Sequence, residues 1–269
     1  MIRNPSGVQA VERALAILRL FTPQCPELDL AEVSRRLRLP KSTCHRLIRT
    51  LGHSGFIIEG DGYGRYRLGL AAAQLGDAAT ALLRPSETVR GYMRELNARF
   101  EETIGLTRLH GGKVLVLDRV ESPLPFRMDY GIGALLPVHS TASGKVLLAL
   151  SEHRDELLRS LRLEAFTPHT ITDRARLRTE LQRVRRDGYA VDRQESYLGL
   201  VCLAVPVRDQ VNGVVAALGI SGPAARLEPK RFPQLAAALA RSANRIAPHL
   251  AGTAANGAAR RGTKIVKVV

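Results

Sequence analysis

The chain has 269 residues, with 40 Lys and Arg against 25 Asp and Glu, and carries a net charge of +15. Its hydrophobic content of 45% is well above that of a disordered polycation, so the basic excess points to a nucleic-acid partner, and the length suits two domains. Three cysteines without metal-ligand or CxxC spacing, and no apolar run of signal-peptide or membrane-spanning length, argue against a disulfide scaffold, a metal centre, a cofactor and a membrane protein, and predict a cytoplasmic location.

Val11, Ala14, Leu15 and Leu18 predict a first helix that closes a small core. From Leu30 to Leu51 two short helical patterns meet across a three- or four-residue turn, the layout of a helix-turn-helix. Asp29 with Glu32 predicts a capping box at the start of the first of these helices, and Pro40 suits the first turn of the second. In that second helix Cys44, Leu47, Ile48 and Leu51 fall at i, i+3, i+4 and i+7 and form the apolar stripe. Lys41, Ser42, Thr43, His45, Arg46 and Arg49 are its candidate DNA-reading residues. No acidic residue occurs from Val33 to Ile58, so nothing there repels phosphate. Phe56–Glu59 and Arg65–Leu68 then read as two strands around a glycine-rich turn, with Tyr66 and Leu68 inward and Arg65 and Arg67 outward toward a sugar-phosphate backbone. Residues 6–69 are thereby expected to form a winged helix-turn-helix.

An Ala- and Leu-rich segment, residues 70–84, predicts a linker helix. Pro85 can open the next helix, whose apolar face is Val89, Tyr92, Met93, Leu96 and Phe100. The period then changes: Thr103–Leu109 and Lys113–Val120 flank Gly111-Gly112, a two-residue hairpin signal. Helical patterns follow at Thr141–Leu150, Ser151–Leu161 and Asp173–Asp187, the last stopped by Gly188. Strand patterns at Tyr189–Asp192, Val201–Val207 and Val214–Ile220, with a turn at Asn212-Gly213, precede a last helix at Leu235–Ala247. Hairpin-paired strands with helices outside them describe an α+β domain over residues 85–250. Charge is uneven along the chain: +5 over residues 1–76 (eleven basic, six acidic), +2 over 77–228 (twenty-one, nineteen) and +8 over 229–269 (eight, none). Residues 251–269 read as a mobile basic tail.

Five separated stretches carry a resemblance: LAEVSRRLRLPKSTCHRLIRTLGHSGFI, RYRLG, PVHSTASGKVLLA, GYAVDRQESYLGLVCLAVPV and GISGP. Together, in order and spacing, they resemble the isocitrate lyase regulator (IclR) family of bacterial transcription factors over roughly residues 6–250. The resemblance implies a winged helix-turn-helix joined to a GAF-like effector domain. It also implies double-stranded DNA with an inverted-repeat operator as partner, a homodimer or homotetramer, repression with activation as the alternative, and a small organic acid held by Met128, Leu136, Ala142, Ser143, Asp192, Leu200, Cys202, Gly219 and Ser221. Two positions depart from the family pattern: Arg38 stands where a turn glycine is usual, and Gly219 where a hydroxyl residue is frequent.

Local chemistry agrees with an anion site. Thr141–Gly144 lies where a loop becomes a helix, and free N–H groups at a helix start favour an anion. Ser221 offers a hydroxyl donor, Cys202 a weak one, and Leu136, Leu200 and Met128 an apolar wall. Asp192 leaves two alternatives: an effector that also carries a hydroxyl, hydrate or phenol, or a pocket that keeps Asp192 protonated. An enzyme is disfavoured, because Cys202 has no neighbouring histidine in sequence and TASGK lacks phosphate-loop spacing. A ligand-free nucleoid-type binder would explain the charge but leave the middle domain idle.

Overall fold

The computed structural model describes residues 7–22, 25–81, 84–125, 130–209 and 213–250. The chain divides into two compact units, residues 1–82 and 83–269. Met128, Asn212 and the tail from 251 lie outside the described residues. Among the described residues no helix is long and apolar enough to cross a membrane.

The first unit runs α1 (Gln9–Leu18), β1 (Glu27–Asp29), α2 (Leu30–Leu37), α3 (Lys41–His53), β2 (Ile57–Glu59), β3 (Arg65–Leu68) and α4 (Leu70–Ala81). The capping box is present: the Asp29 carboxylate accepts the Glu32 N–H at 2.8 Å, and Glu32 reaches back to the Asp29 N–H. Arg38 ends α2 in the left-handed conformation, φ 53° and ψ 44°, so the turn is built around an arginine where glycine would fit without cost. Ser34 steadies it by donating its hydroxyl to the Leu39 carbonyl at 2.6 Å. Pro40 is the N-cap of α3, one step before the first turn expected for it, and its carbonyl takes the Cys44 N–H.

The core of this unit is Ile17, Phe21, Leu28, Val33, Cys44, Ile48 and Ile57. Val11 and Leu15 are about half exposed, contrary to the sequence expectation. Ala14, Ile17, Leu18 and Phe21 form a competing i, i+3, i+4, i+7 stripe, and it contains the bulkier buried pair. The wing has three strands, ordered β1-β3-β2, with Leu28 opposite Tyr66. Tyr66 points inward as expected, whereas Leu68, at the strand's end, is exposed.

The second unit is a six-stranded antiparallel sheet ordered β6-β5-β4-β9-β8-β7. Its strands are β4 (Thr103–His110), β5 (Lys113–Val120), β6 (Leu135–Leu136), β7 (Ala190–Arg193), β8 (Leu200–Asp209) and β9 (Gly213–Pro223). Its helices are α5 (Glu87–Phe100), α6 (Ala142–Ala149), α7 (Arg154–Ser160), α8 (Arg174–Asp187) and α9 (Phe232–Ile246). Ser86 is the N-cap of α5, so Pro85 precedes the helix rather than opening it. Gly111 and Gly112 both have positive φ, as a two-residue hairpin turn requires.

Alternation along the strands separates two cores. Ile104, Leu106, Leu218 and Ile220 face α5 and α9 with Met93 and Leu239. Ala204 and Ala217 face α6 and α8 with Val146, Leu177 and Leu181. Small residues on this second face let α6 approach closely, and Gly144 is essential to it, because a Cβ there would collide with the Val138 carbonyl. Thr141 caps α6 by accepting the Gly144 N–H at 3.1 Å while donating to the Pro137 carbonyl at 2.6 Å.

Candidate functional site

In the first unit α3 turns Cys44 and Ile48 into the core and exposes Lys41, Ser42, His45, Arg46 and Arg49. Thr43 is half-buried and lines the groove toward α1 with Ala10, Ala14 and Arg46. Lys41, Arg46 and Arg49 have no carboxylate partner among the described residues, which leaves their charge available to phosphate or base edges. His45 and Arg49 lie toward the wing, where His53 and Tyr66 share a surface groove with them.

The wing arginines are placed differently. Arg65 donates from Nε to the Glu27 carboxylate and from its second terminal nitrogen to the Glu27 carbonyl, both at 3.2 Å. Glu27 also takes the Asp61 N–H at 3.3 Å, so one carboxylate braces the turn. Arg67 meets Asp61 at 3.6 Å across an exposed surface. Sequence reasoning missed Glu27, since a three-residue strand gives no alternation to read. It also missed Tyr63, which stands fully exposed at the apex between Gly62 and Gly64.

In the second unit a cavity of about 410 Å³ opens between the sheet and α6. Leu136, Ala142, Ser143, Asp192, Leu200, Cys202, Gly219 and Ser221 all line it; Met128 falls outside the described residues. The register explains the convergence: Asp192 on β7 pairs with Cys202 on β8, which pairs with Ser221 on β9, one polar row over three adjacent strands. Tyr130, Phe166 and Tyr197 also line the cavity, and they come from irregular segments without a periodic signal.

Several polar groups of the lining are already committed. Thr167 donates to the Gln194 carbonyl, and Ser196 donates to the Ser140 carbonyl. Spare capacity remains elsewhere. The N–H groups of Ala142 and Ser143, in the first turn of α6, take no acceptor among the described residues. Among the described residues Asp192 Oδ2 is buried without a partner, and the buried Ser221 hydroxyl makes no hydrogen bond of good geometry, although the Tyr130 phenol lies beside it.

Burial, reinforced by the Cys202 thiol nearby, pushes the Tyr130 phenol up to about 12, against the lowering effect of Ser221 and Arg119, so it remains a donor. Burial and the Asp192 charge push the Cys202 thiol well above its usual value, which keeps it from being a thiolate nucleophile. No histidine lines the cavity among the described residues, so the Cys–His pairing weighed from sequence is not assembled there. Beneath the cavity lies a network that sequence reasoning also missed. The fully buried Lys145 donates to Glu195 at 2.5 Å, to the Val191 carbonyl at 2.6 Å and to Glu180 at 3.2 Å. A lysine inside the apolar run of Gly144–Ala149 was the available signal.

Comparisons with known proteins identify both units. A model of the bacterial transcriptional regulator IclR C-terminal domain matches residues 84–248, and one of the IclR helix-turn-helix domain matches residues 10–58. The HTH-type transcriptional regulator XynR of Escherichia coli K12 is 37% identical over 223 residues, 82% of this chain and 88% of that protein. The HTH-type transcriptional repressor AllR of Klebsiella pneumoniae is 34% identical over 228 residues, 84% of each. The crystal structure of a Rhodococcus sp. RHA1 transcriptional regulator superposes with a TM-score of 0.76 at 30% identity, covering 91% of this chain and 99% of that one. An IclR homologue from Microbacterium hydrocarbonoxydans, crystallised with 4-hydroxybenzoate, superposes with a TM-score of 0.73 at 27% identity, covering 91% and 100%.

Proposed function

The chain belongs to the IclR family of bacterial transcriptional regulators and is a DNA-binding regulator; from that premise we propose that it is a repressor controlled by a small carboxylate held in the cavity of its second unit. One observation carries the effector reading. The Asp192 oxygen Oδ2, buried without a partner among the described residues, lines the same cavity as the free N–H groups of Ala142 and Ser143, with the Ser221 hydroxyl and the Tyr130 phenol beside them. A buried polar group without a partner is costly, and a ligand that satisfies it recovers that cost. The relative crystallised with 4-hydroxybenzoate supports an acid, and the relative named a repressor supports the sign of control.

The exposed arc of Lys41, Ser42, His45, Arg46 and Arg49 on α3 is read as the major-groove surface, with the Arg65–Arg67 hairpin beside the backbone. One winged helix reads only a few base pairs, so the working form is a homodimer, or a homotetramer built from dimers, on double-stranded DNA with an inverted repeat. The test is a footprint on genomic fragments selected by the protein. A discrete two-fold protected site that a carboxylate weakens is the expected outcome. Unbroken coating without a site, or a protein that sediments as a monomer on a half-site, would overturn the reading.

A further inference from the structure

Asp192 is fully buried at the edge strand β7, and its two oxygens differ. Oδ1 accepts the Glu195 N–H at 2.6 Å and the Ser196 N–H at 3.4 Å, while Oδ2 has no partner and the residue lines the cavity. The start of α6 is close by, because Lys145 in its first turn reaches the carbonyl of Val191, the residue before Asp192. Ser196, whose N–H reaches Asp192 Oδ1, also donates its hydroxyl to the Ser140 carbonyl two residues before Ala142, and Ala142, Ser143 and Asp192 line one cavity, so a carboxylate seated on the N–H groups of Ala142 and Ser143 shares that cavity with Asp192.

Charged groups face Asp192 from the elements packed around it. Lys145 comes from α6 and Glu195 from the turn after β7; Glu180 and Arg183 of α8 stand behind Lys145. Cys202, on β8, stays a neutral thiol, and Arg193, on β7 itself, lies over the Phe232 ring. Two cations, Lys145 and Arg183, meet two carboxylates, Glu180 and Glu195, so this set is neutral by itself. An ionised Asp192 is the surplus charge.

A ligand carboxylate would add a second negative charge. Two carboxylates about 4 Å apart at an effective dielectric of about 20 weaken binding by on the order of a thousandfold. Protonating Asp192 costs far less. Burial, helped by the Glu195 charge and opposed by the Glu195 N–H and Lys145, raises its pKa to about 6, so the cost at pH 7 is about tenfold. We propose that Asp192 meets the effector's carboxylate as a neutral acid and donates a hydrogen bond to it from Oδ2, so that the effector enters with one proton. This rests on the carboxylate reading above and chooses between its two alternatives for Asp192. The proton comes from solvent and returns there on release; no covalent bond to carbon changes. The complementary ligand end is a bare carboxylate, with no hydroxyl required at Asp192.

The experiment is calorimetry of the full-length chain with acetate, glycolate, benzoate and 4-hydroxybenzoate from pH 5.5 to 8.5, repeated at pH 7 in phosphate and in Tris, whose ionisation heats differ. The tightest probe should take up close to one proton at pH 7, and its affinity should fall about tenfold per pH unit above pH 6 to 7. Asp192→Asn, which keeps a donor, should bind at pH 7 at least as well as the parent with no pH dependence. Asp192→Ala should bind weakly at every pH. Binding by the parent without proton uptake overturns the proposal whatever the variants do. So does an Asn variant as weak as Ala, which would make Asp192 an acceptor for a ligand hydroxyl. If no probe binds at all, the carboxylate reading falls and this proposal with it.

Discussion

Lys145 Nζ lies 2.5 Å from the Glu195 carboxylate, with the lysine side chain at 0% exposure and the glutamate at 6%. An ion pair so deep gains little net stability over an apolar replacement of both partners, yet removing one partner strands the other. Lys145→Ala should lower the unfolding free energy by about 3–5 kcal/mol in urea titrations of the full chain. The double variant Lys145→Met with Glu195→Gln should cost less than the sum of its singles. Strict additivity would mean that the two side chains do not act as a pair.

The proposed major-groove surface gives base reading to Arg46 and Arg49 of α3, which have no acidic partner among the described residues. Arg46→Ala and Arg49→Ala should each relax preference at one position of the half-site, by about 1–3 kcal/mol of discrimination for a bidentate contact. Selection from a random DNA library reports this directly. Unchanged preferred sites for both variants would place base reading elsewhere.

The wing is expected to behave differently because its arginines are not equivalent. Arg65 is tied to Glu27, which also holds the Asp61 N–H. Glu27→Ala should therefore speed amide exchange across Gly60–Arg65 while α3 keeps its protection. Arg67, with only a 3.6 Å exposed contact to Asp61, is the freer cation. Arg67→Ala should weaken binding to all sequences alike and shallow the salt dependence by about one unit. A change of base preference in Arg67→Ala would contradict this.

The first unit was largely legible because its signals are local. The stripe from Cys44 to Leu51 and the Asp29–Glu32 box each sit within one or two turns of chain, and the structure keeps them. Where two stripes overlap, as in α1, periodicity names a helix without saying which face is buried, and Val11 and Leu15 were placed on the wrong side. The Gly111-Gly112 hairpin was local as well. Lys145, by contrast, meets partners 35 and 50 residues away, and that pairing is set by how β7 and α8 fold back onto α6. The convergence of Asp192, Cys202 and Ser221 came from resemblance, and the strand register supplies its physical reason. Phe166 and Tyr197, on irregular segments, had no sequence signal at all.

Asp192 also shapes stability against pH. Its pKa is about 6 in the folded chain against an ordinary 3.8, so between these values the folded state holds a proton that the unfolded state has released. Stability from this group is therefore present at pH 4, declines as pH rises toward 6 and is absent above it, a total of roughly 3 kcal/mol. Asp192→Asn removes the titration while keeping the size and polarity of the side chain. The variant should gain little at pH 4 and be measurably more stable than the parent at pH 8, read as the difference between their urea midpoints at the two pH values. Carboxylates away from Asp192 titrate alike in both proteins and cancel in that difference, whereas Glu195, coupled to Asp192, shifts with it. A gain that is equal at both pH values, or larger at pH 4, would mean that Asp192 is ionised as easily in the folded chain as in the unfolded one.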